Sequence, residues 1–316
     1  SWQETEDRKR APRMMQRRKF VRSIAAAFSA AAIAPRVASH ETEAPAEPAA
    51  LFPLSVMLWT VFRDLPFEQR LEKVAEAGYR NVELVGEYEH WSDAGFDRAK
   101  AKSRELGITF DCTAGLKHGL CNPADREGLL QELRRTLPIM ERLECPAIIL
   151  LSGNTVPGLS FDVQQQSCVE GLKAAARLVE GRKTNGEPVR LLLENIDPEE
   201  NPRYFLTSVA RGFEIVRAAG HPQVQFLYDF FHEQIAEGNL IEKLEKNIDQ
   251  VGLIHVADVP GRHAPGTGEI NYRNIFRRLA ELKYKRVVAM EFLPEGDPVS
   301  ELRQAARLVA ESALPR

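Results

Sequence analysis

The sequence is short of the features that mark nucleic-acid-binding and membrane-spanning proteins. Its 42 lysines and arginines are balanced by 45 aspartates and glutamates, and the net charge of −3 gives no long-range attraction to nucleic acid. An Ala-rich apolar run at 24–34 falls short of the roughly 20 apolar residues that a membrane span needs. We therefore predict no nucleic-acid partner and no stable membrane span.

Cysteine is also scarce. The four cysteines, Cys112, Cys121, Cys145 and Cys168, are scattered without the spacing of a metal site. Cys112 and Cys145 fall in apolar, strand-like segments, where a buried free thiol is the expected state. A Cys112–Cys121 disulfide is the alternative if the protein reaches an oxidising compartment.

The first 50 residues differ in composition from the rest. A basic stretch leads into the Ala-rich run and then to the small residues Val37–Ser39, which is the pattern of a signal peptide. The pair Arg17-Arg18, followed by Lys-Phe-Val, resembles a twin-arginine signal, which exports proteins already folded with their cofactor. Residues 40–50 are rich in Ala, Glu and Pro and indicate a flexible linker. We predict a signal and linker at 1–50 and a periplasmic location; the alternative is a helix or tail on a cytoplasmic protein.

From Leu54 onward, short apolar runs alternate with helical patterns eight times. Such strands are typical of a parallel sheet buried on both faces, and eight units over about 260 residues match a (β/α)8 barrel. We predict a single-domain (β/α)8 TIM barrel over 51–316; an open doubly wound sheet is the alternative, but no Gly-x-Gly-x-x-Gly follows any strand. The predicted strands are 54–61, 81–86, 108–113, 147–152, 190–196, 224–229, 251–257 and 286–292. The predicted helices are 66–77, 95–106, 125–143, 162–181, 205–219, 237–247, 272–283 and 298–312.

Polar side chains end four successive predicted strands. Strands five, six and eight end in Glu194, Asp229 and Glu291, each after several apolar residues, and His255 ends strand seven. Because the strand ends of a barrel meet at one rim, we expect these side chains to converge. A buried carboxylate is costly unless it is paired or metal-bound. Three carboxylates and an imidazole suit one divalent ion, Mn²⁺, Mg²⁺ or Co²⁺, with an ordinary ion pair as the alternative for any single residue.

The stretch His255–Asn271, HVADVPGRHAPGTGEIN, is the strongest motif in the chain. Its prolines and glycines exclude regular structure, and it leaves the carboxyl end of a strand, where parallel α/β folds keep their sites. It closely resembles a signature of the hydroxypyruvate isomerase family within the xylose isomerase-like barrels. The resemblance covers essentially 54–312.

The resemblance implies a metal-dependent enzyme that acts on a small sugar or hydroxy-keto acid. Glu194 and Glu291 match the two family glutamates that move the proton, and Asp229 and His232 match the aspartate and histidine of its Asp-x-Tyr-His pattern. One glutamate would remove a proton beside a carbonyl to give a metal-held enediolate, and a glutamate would return it. If the proton returns to the neighbouring carbon, the enzyme is an isomerase. If it returns to the opposite face of the same carbon, the enzyme is an epimerase.

Further side chains are candidates for substrate contact. Arg262 either holds a substrate oxygen or carboxylate or forms an ion pair with Asp258 or Glu269 that orders the loop. Four more residues follow strand ends, with local packing as the alternative for each: Trp59, His90, His118 and His232.

Three departures from the family pattern weaken hydroxypyruvate as the substrate. Hydroxypyruvate isomerases usually have Gln at the position of His255. A His at this position instead resembles the ketose epimerases. Glu194-Asn195 replaces the usual Glu-Pro. Leu293 stands where a basic residue is normal, so one anchor for an anionic substrate is missing.

We therefore predict a metal-dependent sugar isomerase or epimerase. An exported lyase or hydrolase of 3-oxo-glycosides, using the same metal, is the first alternative. An endonuclease acting on abasic DNA would need more histidines than the seven present and a basic groove. A non-catalytic sugar-binding barrel is the last alternative. A homo-oligomer is compatible with the sequence, which does not decide the oligomeric state.

Overall fold

The computed structural model describes residues 52–312. The signal peptide and linker predicted for 1–50 lie outside these residues and stay predictions. Across 52–312, no helix combines the length and the apolar character that crossing a membrane requires.

Eight parallel strands close into a barrel, in which each strand pairs with its neighbour along the chain and the last pairs with the first. The strands are β1 (Leu54–Met57), β2 (Asn81–Val85), β3 (Thr109–Ala114), β4 (Ala147–Leu151), β5 (Arg190–Glu194), β6 (Val224–Asp229), β7 (Val251–Val256) and β8 (Val288–Met290). The predicted (β/α)8 barrel is confirmed. A short hairpin, Lys183–Thr184 with Glu187–Pro188, precedes β5.

The helices pack around this sheet. They are α1 (Phe67–Glu76), α2 (Asp93–Leu106), α3 (Arg126–Leu143), α4 (Phe161–Val179), α5 (Val209–Ala219), α6 (Phe230–Ala236), α7 (Leu240–Glu245), α8 (Tyr272–Glu281) and α9 (Pro298–Ser312). Local sequence sets several boundaries. Ser92 caps α2 by accepting a hydrogen bond from the Gly95 amide, and Gly107 ends that helix with φ of 64°.

Several boundaries differ from the predictions: β8 is confined to Val288–Met290 instead of 286–292, and α5 begins at Val209 instead of 205. The first strand is shorter than 54–61 because the chain turns into a 3-10 helix at Leu58–Thr60. After β6, two short helices replace the one predicted at 237–247. The Asp229 carboxylate caps α6 at once by accepting from the Phe231 amide at 2.7 Å, and Gly238 breaks the helix with φ of 66°.

Inside the barrel, an apolar layer separates the two ends. Seven of the eight strands supply it: Met57, Cys112, Ala147, Ile149, Leu192, Leu227, Leu253 and Ala289. In β2 the corresponding position holds Glu83, which pairs in register with Met57 on one side and Cys112 on the other. The cysteines are free and buried, so the Cys112–Cys121 disulfide does not form.

Candidate metal and active site

Four side chains at the carboxyl end of the barrel form what we call the ligand cluster: Glu194, Asp229, His255 and Glu291. Each offers a ligand atom, and these atoms all lie within 4.8 Å of one another. All four residues are buried, with at most 6% of their surface exposed. The four residues that the strand-end pattern selected from the sequence therefore lie together in the structure.

Glu83, on β2, fixes the orientation of the His255 ring. Its Nε2 lies 2.9 Å from Glu83 Oε2, and both side chains are at most 1% exposed. An Nε2–H that donates to Glu83 leaves the lone pair of Nδ1 directed at the other members of the cluster. Nδ1 lies 2.6 Å from Glu291 Oε2 and 3.5 Å from Glu194 Oε1, yet it has hydrogen-bond geometry to neither.

A buried nitrogen without a hydrogen bond costs about 1–3 kcal/mol unless something else binds it. A metal ligand backed by a carboxylate on its other ring nitrogen is the usual arrangement of histidine in metal sites. The donor set of the cluster, in which Nδ1 of His255 faces two carboxylates without hydrogen-bond geometry to either, therefore fits a divalent ion. Burial by itself lowers the pKa of His255, but the charges of Glu291 and Glu83 outweigh it and raise that pKa well above its usual value.

The guanidinium group of Arg262 pairs with two carboxylates of the ligand cluster and is a built-in cation, that is, a positive charge supplied by the chain itself. One Nη lies 2.6 Å from Glu291 Oε2 and 3.2 Å from Asp229 Oδ2, and the other lies 3.2 Å from Glu200 Oε1. Burial alone would raise the pKa of Glu291, but Arg262 and His255 hold it well below its usual range. Glu194 lacks such a cation, and burial raises its pKa.

The ion pair predicted between Arg262 and Asp258 or Glu269 is wrong. Arg262 has φ of 59°, which turns its side chain inward rather than along its own loop. Asp258 instead accepts hydrogen bonds from the backbone amides of Gly266 and Ile270, at 2.8 and 3.0 Å. It orders the loop without help from Arg262.

Two aromatic rings and a histidine surround the guanidinium of Arg262. Its central carbon lies 4.7 Å from the Phe231 ring centre and 5.7 Å from that of Trp59, and Trp59 Nε1 donates to Glu291 Oε1 at 2.7 Å. His232 Nε2 lies 3.4 Å from Arg262, while its Nδ1 lies 2.7 Å from the buried Asp197 carboxylate. Trp59 and His232 thus both border the ligand cluster.

The other two predicted pocket residues lie elsewhere. His118 Nδ1 is held 2.8 Å from Glu132 on α3, and it lines a cavity of about 370 Å³ at the carboxyl end of β3 and β4. This cavity also includes Leu151, which pairs in register with Glu194. His90 is exposed beside a different cavity, of about 380 Å³. The structure does not bring His90 to the ligand cluster.

Comparison with known proteins agrees with this architecture. Residues 71–312 match the family model described as xylose isomerase-like TIM barrel. The chain belongs to this family. The resemblance read from the His255–Asn271 motif is thereby confirmed.

Two curated relatives of the chain are named as isomerases. The chain is 29% identical over 244 residues to a 2-oxo-tetronate isomerase of Pectobacterium atrosepticum, which covers 75% of this chain and 90% of that protein. It is 28% identical over 255 residues to the hydroxypyruvate isomerase of Escherichia coli, covering 79% of this chain and 96% of the relative. Among solved structures, an AP endonuclease of family 2 from Brucella melitensis superposes with a TM-score of 0.71 at 25% identity, covering 82% and 98% of the two chains.

The sequence analysis missed two buried acidic residues that contact histidines of the site. Glu83 contacts His255, and Asp197 contacts His232. Glu83 interrupts the apolar strand Asn81–Val85 at its middle, a signal different from the strand-end position that revealed Glu194. Asp197 follows β5 by three residues and is fully buried against His232. The sequence contained little indication of this role, because an Asp before a proline is also typical of a loop.

Proposed function

We propose that the protein is a divalent-metal-dependent isomerase or epimerase of small sugars or hydroxy-keto acids. The observation that carries the proposal is the ligand cluster, in which Glu83 holds His255 through Nε2 and the opposite ring nitrogen, Nδ1, faces the other members without a hydrogen bond. The isomerases among its relatives support the reaction class.

The metal would be held by Glu194, Asp229, Nδ1 of His255 and Glu291. Oxygen-rich sites with one imidazole suit Mn²⁺, Mg²⁺ or Co²⁺. When bound, a divalent ion polarises a substrate carbonyl and acidifies the neighbouring C–H.

The two glutamates would move the proton. Glu291 is fixed from two sides, since Trp59 donates to one oxygen and Arg262 to the other. Glu194 has a single ion-pair partner within residues 52–312, His255 at 3.5 Å, and is therefore freer to approach a substrate carbon. One glutamate takes the proton and leaves the C–H electron pair in an enediolate, and a glutamate then delivers a proton to the neighbouring carbon or to the opposite face.

The surroundings would position the rest of the substrate. Arg262 and His232 offer nitrogen donors beside the cluster, and a substrate oxygen or carboxylate would replace part of their present contacts. The cavity of about 370 Å³ next to Glu194 is lined by Ser152, Asn154 and other polar groups, which suit a hydroxyl-bearing chain.

The test is a substrate screen in deuterated water. Protein treated with a chelator is reloaded with Mn²⁺, Mg²⁺ or Co²⁺ and incubated with ketoses, hydroxypyruvate, 2-oxo-tetronate or 3-oxo-glucosides, and carbon-bound deuterium is followed by NMR. We expect metal-dependent deuterium uptake with formation of an isomer or epimer. Expulsion of a glycosidic group without isomer formation would favour the lyase, and an absence of exchange with every substrate would contradict the proposal.

Export is a separate proposal that rests on the Arg17-Arg18 pattern. A reporter fused to residues 1–50 should reach the periplasm, and replacing both arginines by lysine should retain it in the cytoplasm. Export that survives the double replacement would contradict the twin-arginine route.

A further inference from the structure

The amino end of the barrel contains a second cavity, of about 250 Å³, which we call the amino-end cavity. Residues at or just before the starts of several strands line it, among them Asn81, Thr109 and Arg190. Its lining shares no residue with the ligand cluster, Arg262 or His232. This cavity is therefore a separate site from the one proposed for the substrate.

A buried acid without a partner lies in the lining of this cavity. Asp111 is the extra residue of β3 where the register with β2 shifts, because Val82 pairs with Phe110 and Glu83 with Cys112. The shift turns Asp111 inward, where it is only 4% exposed. Neither of its carboxyl oxygens has a hydrogen bond, and the neighbouring Ser55 hydroxyl also lacks one. Burial and the charge of Glu83 raise the pKa of Asp111 well above its usual value, and the neighbouring Ser55 hydroxyl and the charge of Arg190 offset only part of that rise.

Within residues 52–312, the cations of the same cavity form no ion pair, and Glu144 and Glu187 also belong to its lining. Arg190 donates from one Nη to the Gly252 carbonyl at 2.9 Å, while its Nε is buried without an acceptor. Burial and the charge of Arg190 lower the pKa of Arg286, so the two guanidinium groups repel each other. Lys285 adds a third cation at the exposed rim.

We propose that the amino-end cavity binds a small zwitterion of the amino-acid class, with its ammonium group on Asp111 and its carboxylate on Arg190 and Arg286. Asp111 and Arg190 Nε do not satisfy each other, since both are without a partner. A simple anion would leave Asp111 unpaired, and a simple amine would leave both arginines unpaired. A ligand with both charges provides for Asp111 and for the two arginines at once, and buried charges are stable when they are paired.

The experiment is calorimetric titration of the full-length protein after removal of metal by a chelator, so that the ligand cannot bind through a metal ion. The probes are glycine, β-alanine and 4-aminobutyrate, which separate the two charges by increasing distances. Ethylamine, acetate and inorganic phosphate serve as single-charge comparisons. We expect one zwitterion to bind at a ratio of one to one, about tenfold or more tighter than each single-charge probe.

Two variants test the two charges separately. Asp111→Asn and Arg286→Gln should each weaken the binding of the best zwitterion by about 30-fold or more, as expected when a charge loses its buried partner. Glu194→Gln should leave binding unchanged, which separates this cavity from the ligand cluster. If Asp111→Asn does not fold, as judged by circular dichroism, the half-buried Arg286→Gln decides the outcome alone.

Three results would overturn the proposal. They are an absence of zwitterion binding, binding that is unaffected by Arg286→Gln in the folded protein, and binding of phosphate alone that survives Asp111→Asn. The last would make the cavity an anion site in which Asp111 has no role.

Discussion

The two ends of the barrel treat buried charge in opposite ways. At the carboxyl end, Glu291 lies 2.6 Å from both Arg262 and His255 and accepts a hydrogen bond from Trp59 at 2.7 Å. At the amino end, Asp111 is about as deeply buried, and neither of its oxygens has a partner. The carboxyl end pairs its acid with cations of the same chain, and the amino end leaves Asp111 without a hydrogen bond or an ion pair within residues 52–312.

The connecting loops account for this difference. The loop from β7 to α8 spans 257–271, which is long enough to send Arg262 back over the strand ends. At the opposite end, only 107–108 connect α2 with β3. Neither residue of this short connection forms a hydrogen bond with Asp111. The long loop thus supplies a cation to the carboxylates at the strand ends, whereas the short connection before β3 supplies no hydrogen bond to Asp111.

The largest effect should follow from changing the two carboxylates that we propose to move the proton. Glu194→Gln or Glu291→Gln keeps the size and one oxygen but removes the base, so turnover of the best substrate should fall by about 10²–10⁴-fold. Binding of Mn²⁺, measured by calorimetry, should weaken only moderately. Glu105→Gln, at an exposed position on α2, is the matched control and should change neither quantity. Full deuterium exchange in both site variants would remove these glutamates from the mechanism.

Removing the built-in cation should make the carboxyl end resemble the amino end. Arg262→Gln leaves Asp229 and Glu291 without their guanidinium partner, and loss of one member of a buried pair costs about 3–5 kcal/mol of unfolding free energy. Urea denaturation of metal-free protein measures this loss, and added Mn²⁺ should restore more stability to the variant than to the wild type. Arg98→Gln, whose ion pair with Glu68 lies at the surface, should change stability by at most about 0.5 kcal/mol. Equal metal responses in the wild type and Arg262→Gln would show that Arg262 and the metal do not compete for the carboxylates.

The support beneath His255 should matter less than the ligands themselves. Glu83→Ala removes the acceptor that fixes the histidine tautomer, so Mn²⁺ affinity should fall by about 10–100-fold. Glu83→Gln retains an acceptor oxygen and should lose less. Nitrogen NMR of His255 in metal-free protein provides an independent readout, because the proton should reside on Nε2 only while Glu83 is present. An unchanged tautomer and affinity in Glu83→Ala would contradict this role.

The smallest effect concerns Asp111 and depends on pH. The folded state raises its pKa, so the wild type should lose stability as pH rises from the usual Asp value through the folded pKa. Asp111→Asn lacks this titration, and its unfolding free energy relative to wild type should therefore increase over the same range by about 1–3 kcal/mol. Parallel stability curves for the two proteins would mean that Asp111 ionises freely in the fold.

The sequence predicted the barrel and the ligand cluster because both depend on local patterns. Apolar runs mark the strands, and a polar residue at the end of each run marks the rim, so Glu194 and His255 could be placed without a structure. The partners of these residues could not be found in this way. The contact between His255 and Glu83 joins residues 172 positions apart across the barrel, and it exists only once the sheet has closed.

Other features depended on backbone conformations that the sequence does not display. The inward turn of Arg262 requires a positive φ at a residue that rarely adopts it. The position of Asp111 inside the barrel requires a register shift between β2 and β3. The division of the sixth helix follows from Asp229, which acts as a helix cap as well as a member of the ligand cluster. Local patterning predicted none of these three.

The four cysteines of the described fold bear on the redox environment in which the protein can work. All are free and buried, and burial raises the pKa of each thiol, to about 11 for Cys121 and further for the others. Thiol–disulfide exchange needs the thiolate and access to it, and both are scarce at these positions. The barrel should consequently resist oxidants and reductants alike. It could fold among reducing thiols and then enter an oxidising compartment without exchanging a single covalent bond.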